Sequence, residues 1–152
     1  MAENYGKKFE EQVRSDLKKL SDVSVIRLPD PTSGYLGVRN ISDFIVYRYP
    51  NIIFLECKSV HGSLFPLSNI TPNQYNGMLE QSKIPGTICG VMVWWIDKDV
   101  TKFFPIQYIK SMKESGAKSL HRDNIGYEVP GNKKRVFFEY YMEAFLNELQ
   151  DR

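Results

Sequence analysis

The sequence predicts an α/β fold in which a mixed central β-sheet is flanked by helices. Three observations carry this. Segments of helical period alternate with β-branched apolar runs in the order helix, strand, strand, strand, helix, strand, strand, helix, helix. Residues 43–59, DFIVYRYPNIIFLECKS, hold two such runs around Pro50-Asn51, the pattern of a β-hairpin. Residues 87–96, TICGVMVWWI, form the most continuous apolar run in the chain, as expected of a strand buried on both faces near the sheet centre. At 152 residues, the chain suits one domain with a substantial core.

Taken in order, residues 4–20 read as a helix. Tyr5, Phe9, Val13, Leu17 and Leu20 recur at spacings of three and four and form one stripe. Glu10 falls on the flank of that stripe, where it either reaches inward or remains a solvated helix acid; Glu11 points to solvent. Lys7, Lys8, Arg14, Lys18 and Lys19 decorate the outer faces, as solvated charges or as phosphate contacts. Residues 23–28 form a short strand. The segment 29–41, PDPTSGYLGVRNI, is rich in turn residues and reads as a protruding loop; it carries Tyr35, Leu36, Val38 and Arg39. Beyond the hairpin, Thr71-Pro72 starts a helix, with Thr as N-cap and Pro at the first helical position. It runs to about Lys83, with Gln74 in its first turn. Ile84-Pro85-Gly86 breaks it. After residues 87–96 come a turn at 97–99, a strand at 101–104, and a helix opened by Pro105 and closed by Ser115-Gly116. Residues 117–135 look polar and irregular and hold the other basic concentration, with Lys133, Lys134 and Arg135. Residues 136–147 read as a short strand or turn leading into a C-terminal helix. Trp94 and Trp95 read as core and edge packing.

Composition narrows the chemistry. Hydrophobic and charged fractions of 42% and 25% are ordinary for a globular protein, and a net charge of +2 permits a nucleic-acid partner without demanding one. Cys57 and Cys89 lie in apolar strands and read as buried free thiols in a reducing compartment. No signal-peptide pattern and no apolar stretch of the ~20 residues needed to span a membrane is visible, so an intracellular protein is expected. His61 and His121 belong to no zinc-ligand spacing. No phosphate-binding glycine loop, dinucleotide fingerprint or nucleophile elbow is present.

The hairpin then sorts its polar residues. If Pro50-Asn51 is the loop, Tyr49 opposes Ile52 and Asp43 opposes Lys58. Side chains alternate faces with a period of two, so Asp43, Glu56 and Lys58 share one face. Two carboxylates and an amine at the end of a mostly apolar hairpin form either a surface ion-pair cluster or a metal-dependent site. Carboxylates are hard ligands suited to Mg²⁺, and a nearby lysine can steady a developing anion.

Four stretches resemble one family. Asn4-Tyr5-Gly6 followed by Glu10 is similar to its Asn-x-Gly…Glu start. Asp43 with Glu56-Cys57-Lys58 is similar to its catalytic strands. Phe65-Pro66-Leu67-x-Asn69-Ile70 with Gln74, and Lys118-Ser119-Leu120 with Gly126–Pro130 before an aromatic C-terminal helix, complete the set. In this order the chain resembles the PD-(D/E)XK nuclease superfamily, and more narrowly the RecU-type Holliday junction resolvases. It departs from them in having Ser42 where proline precedes the first acid, a shorter and less basic loop at 29–41, and Asn73 in place of a histidine beside Gln74.

The resemblance implies a single nuclease domain over 1–152 with a restriction-endonuclease-like core. It implies a homodimer that nicks branched, four-way DNA symmetrically with Mg²⁺ or Mn²⁺. Asp43 and Glu56 would bind the metal, Lys58 would position water or stabilise charge, Glu10 would support the site, and Gln74 would orient water or phosphate. The loop at 29–41 would enter the junction. Lys7, Arg39, Lys133, Lys134 and Arg135 are the candidate DNA contacts. The cytoplasm of a bacterium or a phage-infected host is the implied location.

Overall fold

A computed structural model describes residues 4–29, 40–133 and 138–151, with the backbone alone at 132, 133 and 138. Its centre is a six-stranded sheet in the order β1 (Ser24–Arg27), β2 (Phe44–Arg48), β3 (Asn51–Val60), β5 (Thr87–Trp95), β6 (Val100–Pro105), β8 (Tyr127–Glu128). Only β3 and β5 run parallel; every other neighbouring pair is antiparallel, so the sheet is mixed as predicted. The apolar run at 87–96 is β5, inside the sheet and buried on both sides, and Trp94 and Trp95 are both core residues. Both cysteines are free and buried.

Alternation along the strands divides the core into two layers. Phe44, Val46, Ile53, Leu55, Met92 and Trp94 meet α1 (Tyr5–Lys18) and α4 (Met142–Gln150) on one face. Cys89, Val91, Val93 and Trp95 meet α2 (Pro72–Ser82) and α3 (Ile106–Glu114) on the other, with Phe54 and Val60 packed against them. Helix α1 forms because Phe9, Val13 and Leu17 align on one buried stripe. It begins at Asn4, whose side-chain oxygen accepts from the Lys7 amide, and ends at Lys18, two residues short of the expected end. Between β3 and α2 lie β4 (Leu64–Pro66) and a 3₁₀ turn at Leu67–Asn69.

The expected hairpin exists, with its register displaced by two residues. Phe44 pairs with Leu55 and Arg48 with Asn51, so the turn is Tyr49-Pro50 and Asp43 comes level with Glu56 rather than Lys58. Asn51 joins the strand because its side chain is held there: it donates to the Gly86 carbonyl and accepts from Gln150. A shift of two leaves face parity unchanged.

Residues 117–133 are more regular than expected. They contain β7 (Ser119–His121), which pairs with β4, then β8, and β9 (Gly131–Lys133), which pairs with β10 (Phe138–Tyr140). Strands of two or three residues are too short to show a period in sequence. Of the loop expected at 29–41, residues 30–39 lie outside the described residues. So do Arg39, Lys134 and Arg135, as well as the side chain of Lys133. Its two ends meet: the Asn40 side-chain amide donates to the Pro29 carbonyl, and Asn73 of α2 donates to the Asn40 carbonyl at 3.2 Å.

Candidate metal and catalytic centre

Asp43 sits just before β2, and Glu56 and Lys58 lie on the part of β3 that passes it, all on the sheet face shared with α2. Buried Ser42 donates to the Phe44 carbonyl at 3.0 Å and shapes the entry to the strand. The Asp43 Oδ2 atom accepts from the Cys57 main-chain amide at 2.8 Å, which ties the start of β2 to β3. Its Oδ1 faces Arg27 Nη2 at 4.0 Å, longer than a hydrogen bond.

Glu56 is almost fully buried, 3% exposed, which is rare for a glutamate without partners. Its two oxygens differ sharply. Oε2 receives Lys58 Nζ at 3.2 Å and Gln74 Nε2 at 3.0 Å. Oε1 is buried with no hydrogen-bond partner. Such a carboxylate oxygen costs desolvation energy that a ligand could offset.

Helix α2 delivers Gln74 for a local reason. Thr71 caps the helix through its hydroxyl, which accepts from the Gln74 amide at 3.2 Å, and the Gln74 Oε1 accepts from the Thr71 amide at 3.1 Å. This reciprocal capping box fixes the Gln74 side chain, leaving Nε2 turned toward Glu56.

Glu10 does reach inward. It is half-buried on α1 and pairs with Arg27 Nη2 at 3.1 Å. Glu11 is exposed, as expected. Arg27, at the end of β1, was not singled out by sequence reasoning. It pairs in register with Phe44, so it belongs to the α1 face, and its guanidinium lies 5.7 Å from that ring while reaching round the strand end toward Glu10 and Asp43. The parity of the hairpin concerned the opposite face only.

The electrostatics follow from burial and crowding. Desolvation, then Glu56, pushes Asp43 up to about 6. Desolvation also raises Glu56 against the pull of Lys58. Desolvation, then Asp43, raises Glu10 despite Arg27. Burial lifts the Cys57 thiol well above its ordinary range, which leaves it inert as a nucleophile.

The structure therefore brings Glu10, Asp43, Glu56, Lys58 and Gln74 together. Lys7 is exposed on α1 near this cluster. Among the described residues no three His, Cys, Asp or Glu side chains form a metal cage. Mg²⁺ does not require one, since it keeps several waters and takes one or two carboxylates together with substrate phosphate. Glu56 Oε1, which has no hydrogen-bond partner, and the Asp43 carboxylate level with it fit that demand.

No protein-family model and no curated protein matches the chain. Among solved structures, it is similar to Hjc, a Holliday junction resolvase from the archaeal hyperthermophile Archaeoglobus fulgidus. The TM-score is 0.50 and the identity 17%, over 67% of this chain and 78% of that one. The fold is thus α/β of the restriction-endonuclease-like kind. The likeness is to an archaeal resolvase and does not single out the RecU type.

Proposed function

We propose that this chain is a divalent-metal-dependent DNA endonuclease that resolves four-way junctions by paired symmetric nicks, in the manner of RecU-type resolvases. The observation that carries the reading is the Asp43–Glu56 pair, with Glu56 Oε1 buried and unpartnered while Lys58 holds the other oxygen, Oε2. The fold it shares with a junction resolvase supports the same class of chemistry.

Bound Mg²⁺ or Mn²⁺ would be held by Asp43 and Glu56; it supplies charge neutralisation at the scissile phosphate and a water of lowered pKa. The protein groups do the rest. Lys58 leaves its pairing with Glu56 to balance charge growing on the phosphoryl oxygens, a type of stabilisation whose loss typically costs ~10²–10³ in rate. Gln74 keeps Glu56 oriented and offers an amide to water or phosphate. Glu10 and Arg27 hold the far side of Asp43. A homodimer would place a second copy of this set on the opposite strand.

A nuclease of the same superfamily acting on other DNA structures is the second reading. It is favoured by the segment 29–41, which contains one basic residue, Arg39, against one acid, Asp30, and so has little charge with which to enter a junction.

Both readings are tested by incubating a labelled four-way junction and a linear duplex of the same sequence with and without Mg²⁺. Selective, Mg²⁺-dependent cutting of the junction is expected. Equal rates on both substrates would leave only the second reading, and no cutting of the junction would remove the first. Asp43→Asn should lose cleavage by at least ~10²-fold and still bind DNA; a cleaving variant would refute the site.

A further inference from the structure

Beside the carboxylates lies a cleft of about 500 Å³ between α1 and the ends of β1 and β2. Its wall on α1 is built from Gly6, Lys7, Glu10 and Arg14, and Arg27 lies at its back. Lys7 and Arg14 are seven residues apart, two turns along one face of the helix, or roughly 10 Å along its axis. Both are exposed, and neither side chain makes a hydrogen bond or ion pair to a described residue. The acids in the cleft are unequal: Glu10 is offset by Arg27, while Glu11 is exposed. What remains is a polar channel in which Lys7 and Arg14 outnumber the exposed Glu11, connected to Asp43 through Arg27 at its lining.

Gly6 adds an independent point. Glycine in a helix is less favourable than alanine, so its presence calls for a reason. Packing does not supply one: a Cβ at Gly6 would meet Asn4 Oδ1 and Ser59 Oγ at 3.7 Å, ordinary contact distances. Gly6 does line the cleft, and a glycine there leaves the helix backbone uncovered on that wall, where another backbone can approach it.

We infer that this cleft is a track for the nucleotide strand flanking the scissile phosphate, with Gly6 as its floor and Lys7 and Arg14 as its phosphate contacts. The inference rests on the nuclease reading and specifies how the substrate lies across that site. Arg14 becomes a substrate-positioning residue outside the catalytic set.

The test is binding of a labelled four-way DNA junction in EDTA over a series of salt concentrations, so that no cleavage is involved. Losing one phosphate contact should reduce the slope of log affinity against log salt by about 0.9. Arg14→Ala and Lys7→Ala should each show this, with a roughly 5–10-fold loss of affinity near 0.1 M salt. Gly6→Ala should weaken binding with its slope unchanged, because it adds bulk and not charge. Lys110→Ala, on α3 at the other face, should match the parent. An Arg14→Ala protein with parental affinity and slope would overturn the track while leaving the nuclease reading intact. A parent protein that binds no DNA would overturn both.

Discussion

Asp43 is a carboxyl group held in an environment that resists its ionisation. Unfolded, it releases its proton near the ordinary value of 3.8; folded, burial and Glu56 hold the proton up to about 6. Between those values the folded state binds more protons, so stability falls as pH rises through the window. At neutral pH the metal-free fold therefore carries the cost of this ionised group. Asparagine has the same shape, keeps an oxygen for the Cys57 amide and removes the charge. Metal-free Asp43→Asn should thus be more stable than the parent at pH 7, by on the order of 1–3 kcal/mol, and the gain should shrink as pH falls toward 4. Urea unfolding at both pH values in EDTA checks this; a variant less stable than the parent at pH 7 would contradict the picture of a carboxylate kept at a cost. Asp43, Glu56 and Lys58 were legible in sequence because strand alternation depends on parity alone, and parity survived a two-residue slip. Glu10 was legible as a flank residue but ambiguous. Arg27 was not legible, because its role depends on β1 lying beside β2, a neighbour relation that local patterning does not contain.

At the scale of elements, α2 does two things: it places Gln74 against Glu56, and it guides the chain into Asp43. The second depends on Gly77. A Cβ there would fall 2.1 Å from Ile41 Cγ2 and 2.9 Å from Ile41 Cβ, so only glycine lets Ile41, two residues before Asp43, lie against the helix. Gly77→Ala should push Ile41 away, costing about 1–3 kcal/mol as overpacking does and loosening the Asp43–Cys57 hydrogen bond. The expected outcome is a lower unfolding midpoint together with weakened Mg²⁺ binding, although Gly77 touches no carboxylate. Parental Mg²⁺ affinity in this variant would separate the helix contact from the site. Gln74→Ala probes the first role: losing half the capping box should cost about 0.5–1.5 kcal/mol and leave Glu56 held by Lys58 alone. Of these elements, the helices were readable from their apolar period and the Thr71-Pro72 start. The hairpin register was not, because a proline-containing turn admits two placements and the choice is made by Gly86 and Gln150, distant in sequence. The strands β7 to β9 escaped for the same reason: they exist through pairing with partners elsewhere in the chain.

Across the whole molecule, the site lies at the seam between the two core layers. Asp43, Glu56 and Lys58 belong to the face covered by α2, whereas Glu10 and Arg27 come round from the α1 face. The seam is held by β3, which passes through the middle of the sheet and pairs with β2 on one side and β5 on the other. Charge gathered there is a burden on the entire fold, since three carboxyl groups are each raised by burial and Asp43 is raised further by a neighbouring acid. A cation that binds the folded state relieves that burden and stabilises the fold by mass action, in proportion to RT ln(1 + [L]/Kd). At 100 times Kd this amounts to about 2.7 kcal/mol. Mg²⁺ should therefore raise the unfolding temperature of the parent at pH 8, and much less at pH 5, where protonated Asp43 must first give up its proton. In Asp43→Asn the rise should largely disappear at both pH values, even though that variant starts from a more stable metal-free state. Thermal unfolding of both proteins, with and without Mg²⁺ at the two pH values, measures this directly. Equal Mg²⁺ shifts in parent and variant would place the stabilising ion elsewhere on the molecule.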